Sequence, residues 1–221
     1  MNTEKNIGYK FKDISLLDNA LTHSSYANEH HCHSNERLEF LGDSVLSIIM
    51  SDYLYKHMAK TNEGDLSKLR ASLVCEQSLN AVARRIELDK SIKLGKGEEM
   101  TGGRNRPSIV SDAFEAVLAA IYLDSNIETA AKWLIPLMQK DIEDAIAGRR
   151  ASDYKTELQE YMQSKHSEPL SYKLVGEEGQ AHLKTFTTEV YIGNRRIGKG
   201  KGSSKKEAEQ NAAKNALDKL L

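Results

Sequence analysis

Apolar positions recur at helical spacing from about Leu16 to Ile146, with many Ala and Leu and little strict alternation. The pattern predicts helices over Ile14–Leu21, Glu36–Lys56, Glu63–Arg85, Ser108–Leu123 and Thr129–Ala147. Pro136 should kink or interrupt the last of these. Gly95-Lys96-Gly97 and Gly102 to Arg106 read as a polar loop. Trp133 and its apolar neighbours read as core, and Tyr9 and Phe11 should pack there too. After residue 147 the grammar changes. Residues 148–152, Gly-Arg-Arg-Ala-Ser, form a candidate linker. A helix over Tyr154–Lys165 follows, and Pro169 marks the break beyond it. Leu170–Val175, Leu183–Ile192 and Arg195–Lys199 then carry the β-branched and aromatic composition of strands, with Gly193-Asn194 as a turn. Lys205–Leu221, rich in Ala, Glu and Lys, closes the chain as a helix. The expected architecture is an all-α domain over 1–147 joined to a small α+β domain, α-β-β-β-α, over 153–221.

Composition narrows the function classes. Among 221 residues, 31 Lys and Arg nearly balance 32 Asp and Glu, so any anionic partner must be met by local charge. Two isolated cysteines, Cys32 and Cys75, make no disulfide framework. The N-terminus is polar and no run reaches 18 apolar residues, so neither a signal peptide nor a membrane span is expected. A cytoplasmic location with no membrane partner is the expectation.

Local charge is concentrated in two places. On a wheel of the helix from Glu36, Leu38, Leu41, Val45, Ile48 and Ile49 share one side, and Glu36, Glu39 and Asp43 share the other. A second helix repeats this. Val110, Phe114, Val117, Leu118 and Ile121 form its stripe, while Asp112 and Glu115 stand together at i, i+3. Solvated acids on amphipathic helices are the ordinary reading of such pairs. Gly42 argues for more: inside a helix it costs about 1 kcal/mol against Ala, so its place suggests a close approach of another backbone or a ligand. Two acid pairs on closely packed helices would make a carboxylate cage suited to Mg²⁺, and two such cations can activate a water and stabilise a leaving oxygen on a phosphodiester.

The second concentration is basic. Arg195, Arg196, Lys199, Lys201, Lys205 and Lys206 fall within twelve positions without an acid. Ser203 and Ser204 can cap the following helix, whose N-terminus beside lysines is a natural phosphate site. By contrast, His30-His31-Cys32-His33 lacks the spacing of a structural zinc site and has no second pair, so it reads as a polar loop.

These segments carry a resemblance. Asn35-Glu36-Arg37-Leu38-Glu39-Phe40-Leu41-Gly42-Asp43-Ser44 resembles the signature motif of the ribonuclease III family. Ala20-Leu21-Thr22-His23-Ser24-Ser25, Asn62-Glu63-Gly64-Asp65-Leu66-Ser67 and Ser111-Asp112-Ala113-Phe114-Glu115-Ala116 resemble it further. The resemblance implies that Glu39, Asp43, Asp112 and Glu115 are metal-binding acids, with Asp43 and Glu115 catalytic. It makes Glu36 and Glu63 accessory acids near the cleft. It also implies Mg²⁺ as cofactor, with Mn²⁺ able to substitute, and hydrolysis of double-stranded RNA to 5′-phosphate and 3′-hydroxyl ends with short 3′ overhangs. Roles in ribosomal-RNA and transcript processing belong to the same implication. So does a homodimer in which Phe40, off the apolar stripe, plugs a hollow on the second subunit.

The region from Gly200-Lys201-Gly202-Ser203-Ser204-Lys205-Lys206 to Ala213, with Asp153 to Glu160, resembles a double-stranded-RNA-binding domain. That resemblance implies phosphate contacts from Ser204, Lys205 and Lys206. It sets Thr156, Gln159, Glu160 and Gln163 on one minor groove and His182 in the next, reading A-form shape over about 16 base pairs. A non-catalytic duplex-RNA binder would keep the lysines and lose the acids. A hydrolase of small phosphate compounds would leave the second domain without a purpose.

Overall fold

The computed structural model describes residues 3–147, 154–165, 169–178 and 184–220. The chain divides into two compact units, Met1–Arg149 and Arg150–Leu221.

The first unit is helical, as the periodicity predicts. In chain order it comprises α1 (Thr3–Ile7), α2 (Ile14–Ala20), α3 (Ser24–His30), α4 (Glu36–His57), α5 (Glu63–Val74), α6 (Glu76–Arg85), α7 (Lys96–Met100), α8 (Pro107–Asp124) and α9 (Ile127–Ile146). Single 3₁₀ turns lie at Leu88–Ser91 and Gly103–Asn105. Helix α8 is the axis of the core. Its buried residues include Val110, Phe114, Leu118 and Ile121 on one side and Ala113, Ala116, Ala119 and Ala120 on others. It is therefore apolar nearly all round, as a central helix must be. Helix α4 packs along it, and α2, α6 and α9 complete the surround. Trp133 of α9 lies tilted against Phe114, ring centroids 5.3 Å apart, and donates its indole N–H to the Ile7 carbonyl at 2.8 Å. Phe11 is buried, and Tyr9 packs at the core's edge with its hydroxyl donating to Asp124 at 2.8 Å.

Three expectations are corrected, and of the two outcomes expected at Pro136 an interruption of the helix does not occur. The segment Glu63–Arg85 is two helices, because Cys75 adopts an extended conformation, φ −70° and ψ 154°. Neither Gly nor Pro marks the break: α5 packs on α4 and α9, whereas α6 packs chiefly on α8, so tertiary contacts bend the chain. The segment read as a polar loop from Gly95 to Arg106 holds α7 and a 3₁₀ turn. Pro136 lies inside α9 without ending it, since Trp133, Leu134, Met138 and Ile142 anchor both sides of it in the core. Finally, Ile48 is 60% exposed rather than part of the α4 core face.

The second unit is the expected small α+β domain: α10 (Tyr154–Lys165), β1 (Leu170–Glu178), β2 (Thr185–Ile192), β3 (Arg195–Gly202) and α11 (Lys205–Leu220). The strands form an antiparallel sheet in the order β1-β2-β3. Leu158 and Met162 of α10 join Val190, Ile192 and Ile197 of the sheet and Ala212, Ala216 and Leu217 of α11 in one core. Strand β3 lies hard against α11, and a Cβ on Gly200 would sit 2.1 Å from the Ala212 nitrogen. The interleaved glycines of the basic run thus serve packing, which leaves the alternating Lys199 and Lys201 on the exposed side. The linker 148–152 and His182 lie outside the described residues, as do the side chains of Glu160 and Gln163.

Candidate metal centre and nucleic-acid interface

The acid site begins with how α4 is started. Asn35 is buried, its backbone N–H donates to the Thr22 carbonyl at 2.8 Å, and its side-chain amide donates to the Ala20 carbonyl at 3.2 Å. These bonds fix the first turn, which carries Glu36 and Glu39. Asp43 stands one turn further on. Between them Gly42 faces α8, where a Cβ would fall 2.0 Å from the carbonyl oxygen of Glu115. No side chain fits there, so the two helices meet backbone to backbone, as the glycine's position predicts.

That approach brings acids from both helices together. Glu39, Asp112 and Glu115 each offer a carboxylate oxygen, and these oxygens lie within 4.8 Å of one another. Crowded negative charge in a half-buried cleft disfavours ionisation. Burial, reinforced by Asp43, Asp112 and Glu39, pushes the Glu115 carboxyl up to about 8. Glu39 is raised by burial and by Asp112, Glu36 and Asp43. Asp112 is also raised, chiefly by burial, against a hydrogen bond from Ser111. A hard divalent cation relieves such repulsion, and an all-oxygen donor set fits Mg²⁺ or Mn²⁺.

The other predicted acids are placed differently. Asp43 is exposed, outside the close trio but near enough to raise Glu115. Glu36 is exposed and accepts from the Ser34 hydroxyl at 2.9 Å. Glu63 opens α5, accepts from Ser67 at 2.8 Å, and lines a hollow with Ser51, Tyr55, Leu66 and Arg70 rather than joining the trio. Two residues near Asp112 escape the sequence reading: Glu76 raises its carboxyl and His23 lowers it. Glu76 is hidden by reading α5 and α6 as one helix. His23 lies in the quoted segment Ala20 to Ser25 with no role attached. The His30–His33 segment is exposed, ending α3 through His31 at φ 54°, and among the described residues it forms no ligand cluster.

In the second unit, the Ser204 hydroxyl accepts the Glu207 N–H at 3.1 Å, capping α11. The Glu207 carboxylate in turn accepts the Ser203 N–H at 2.7 Å. Lys205 and Lys206 are exposed on the first turn, beside the partial positive charge of the helix terminus. Thr156 and Gln159 are exposed on α10, opposite its buried Leu158 and Met162. Lys155 ties the two helices, bonding Glu209 at 2.8 Å.

Comparison with known proteins gives a consistent result. Residues 13–142 match the Ribonuclease-III-like family, and residues 154–220 match the Double-stranded RNA binding motif. Ribonuclease 3 of Caldanaerobacter subterraneus is 52% identical over 219 residues, covering 98% of this chain and 96% of that relative. Ribonuclease 3 of Desulforamulus reducens is 50% identical over 217 residues, covering 97% of this chain and 88% of that one. The crystallised nuclease domain of ribonuclease III from Campylobacter jejuni is similar at 45% identity with a TM-score of 0.60, over 62% of this chain and 94% of that one. That domain shows structural flexibility in a region involved in its dimer formation.

Proposed function

Because the chain belongs to the ribonuclease III family and is a double-strand-specific endoribonuclease, we propose that Glu39, Asp43, Asp112 and Glu115 hold Mg²⁺, or Mn²⁺ in its place, for hydrolysis of phosphodiester bonds in duplex RNA. The observation that carries this reading is the meeting of Glu39, Asp112 and Glu115 across the Gly42 contact. When bound, the cations supply Lewis-acid activation of water and offset charge on the attacking and leaving oxygens. The chain's own part is to hold the carboxylates in place. Burial and the neighbouring acids hold the Glu115 carboxyl up at about 8, and a bound cation would favour its ionised, ligating form. Asp43, exposed one turn beyond Glu39, completes the set. Glu36 and Glu63 are accessory, at the rim and at the start of α5.

Residues 148–152 join this domain to the RNA-binding one, 153–221. There Ser204, Lys205 and Lys206 hold phosphates, while Thr156, Gln159, Glu160, Gln163 and His182 read the minor grooves by shape. The active form is a homodimer, and an exposed strip on α4 supports this: Phe40, Ile48 and Tyr55 fall on one face and are 80%, 60% and 75% exposed. Such a strip is apolar surface suited to a two-fold partner. Two acid clusters across one duplex give 5′-phosphate and 3′-hydroxyl ends with short 3′ overhangs. The setting is cytoplasmic maturation of ribosomal RNA and transcripts; among the described residues no helix is long and apolar enough to cross a membrane. Incubation of the full chain with end-labelled duplex RNA, with and without Mg²⁺, tests this. Staggered cutting is expected only with the cation, and equal cutting in excess chelator would sink the metal role.

A further inference from the structure

The sheet of the second unit packs its helices on one side only. Val190 and Ile192 of β2 join the core with α10 and α11. Thr187, Glu189 and Tyr191 alternate with them and so point to the other side, away from both helices. Strand register carries this side across the sheet. Ser171, Tyr191 and Arg196 form one row, Lys173, Glu189 and Lys199 the next, and Gly176, Thr187 and Lys201 a third. Four cations and one carboxylate therefore share the three rows. A second carboxylate, Glu178, stands opposite Thr185 at the far end.

The central carboxylate is enclosed by its own neighbours. Glu189 is 7% exposed although it faces away from the helices. Its Oε1 accepts from the Arg196 guanidinium at 2.8 Å and lies 3.4 Å from the Lys199 ammonium, while its Oε2 accepts the Tyr191 hydroxyl at 2.6 Å. The Lys173 ammonium lies 4.8 Å from the centre of the Tyr191 ring. Lys173, Arg196, Lys199 and Lys201 are exposed. The face thus presents an aromatic ring, fixed by its own hydroxyl on the central strand, with cations on the strands to both sides. Lysines on edge strands alone would keep such a sheet from pairing with another, but they do not account for the braced ring between them.

The chemistry selects the occupant. Cations pair with phosphates, and a ring offers a stacking surface for a base. In a duplex the bases are already stacked on one another, so a single strand is the nucleic acid that can use both. Lys201 also continues the basic run to Ser203 and Ser204, which lead into Lys205 and Lys206 at the start of α11. We propose that the outer face of the β1-β2-β3 sheet is a track for single-stranded RNA, with Lys173, Arg196, Lys199 and Lys201 on phosphates and the Tyr191 ring under a base. It is separate from the duplex-holding side, formed by α10 and the start of α11, and it rests on the reading of this unit as a holder of duplex RNA.

The test uses the full chain without divalent cations, so that RNA is bound and not cut. Fluorescence anisotropy compares a labelled duplex of about 16 base pairs, blunt or carrying about ten unpaired nucleotides at one end. The wild type is expected to bind the extended duplex about tenfold more tightly, the scale of one stacked base, and with a steeper salt dependence. Lys173→Ala with Lys199→Ala leaves Glu189 its Arg196 and Tyr191 partners. That double variant is expected to lose most of the gain while binding the blunt duplex like the wild type, which also shows that it folds. Tyr191→Phe keeps the ring and should keep the gain, whereas Tyr191→Leu should lose most of it. Equal binding of the two RNAs by the wild type would overturn the proposal, as would a full gain in the double variant or in Tyr191→Leu. A double variant that weakens both RNAs alike would overturn it too, since the face would then hold duplex RNA. If the wild type does not bind the blunt duplex, the duplex-holding reading fails first, and this inference with it.

Discussion

Glu115 concentrates the chemistry of the site because it is half-buried and three other acids press on it. Its carboxyl, raised to about 8 from an ordinary 4.5, has a consequence for stability as well as for activity. Below pH 4.5 the group is neutral whether the chain is folded or not. Between there and about 8 the folded protein keeps a proton that the unfolded chain has lost, so stability falls as pH rises through that window. Glu115→Gln removes this penalty. Without divalent cations, the variant's melting temperature should exceed the wild type's by a margin that widens from pH 5 to pH 8, and a margin independent of pH would contradict the assignment. In Mg²⁺ the same variant should lose cleavage while keeping duplex-RNA affinity, measured by a filter-binding assay. Near-normal turnover would remove Glu115 from the site.

Elements carry the next level of the argument, and α4 with α8 is the pair that matters. The contact at Gly42 leaves no room for a methyl group, so Gly42→Ala must push the helices apart. Overpacking of this kind costs about 3 kcal/mol, and the displacement should weaken cleavage beyond what the lost stability explains; denaturant melts and rates measured on the folded fraction would show both. The glycine and both acid pairs are legible in the sequence because spacing alone puts them on helix faces. The break at Cys75 is not, since the local sequence Leu73-Val74-Cys75-Glu76 contains no stop signal and only packing bends it. Nor is the exposure of Ile48, which helical spacing assigns to the core side of α4. In the second unit the capped start of α11 is legible down to Ser204. Changing Lys205 and Lys206 together to Ala should weaken binding to unrelated duplexes alike and reduce the salt dependence by roughly two counterions. A loss confined to one sequence would mean that these lysines read bases.

At the scale of the whole molecule, an acidic catalytic unit and a basic RNA-holding unit sit in one nearly neutral chain, so composition alone conceals both. The exposed strip of Phe40, Ile48 and Tyr55 is the feature that a single chain leaves without partners in its own core. Phe40→Ala should shift the protein from dimer toward monomer in sedimentation velocity at micromolar concentration and lower double-strand cutting. A wild-type monomer that cuts both strands at full rate would defeat the dimer. The burial of α8 on nearly every side has one more consequence. Backbone amides in its central turns should exchange with solvent deuterium only when the whole nuclease unit opens, so Asp112 and Glu115 ride on the slowest-exchanging segment of the molecule. Local fraying elsewhere then leaves Asp112 and Glu115 in place, and the acids of α4, on its first turns, are the part of the site that fraying can move.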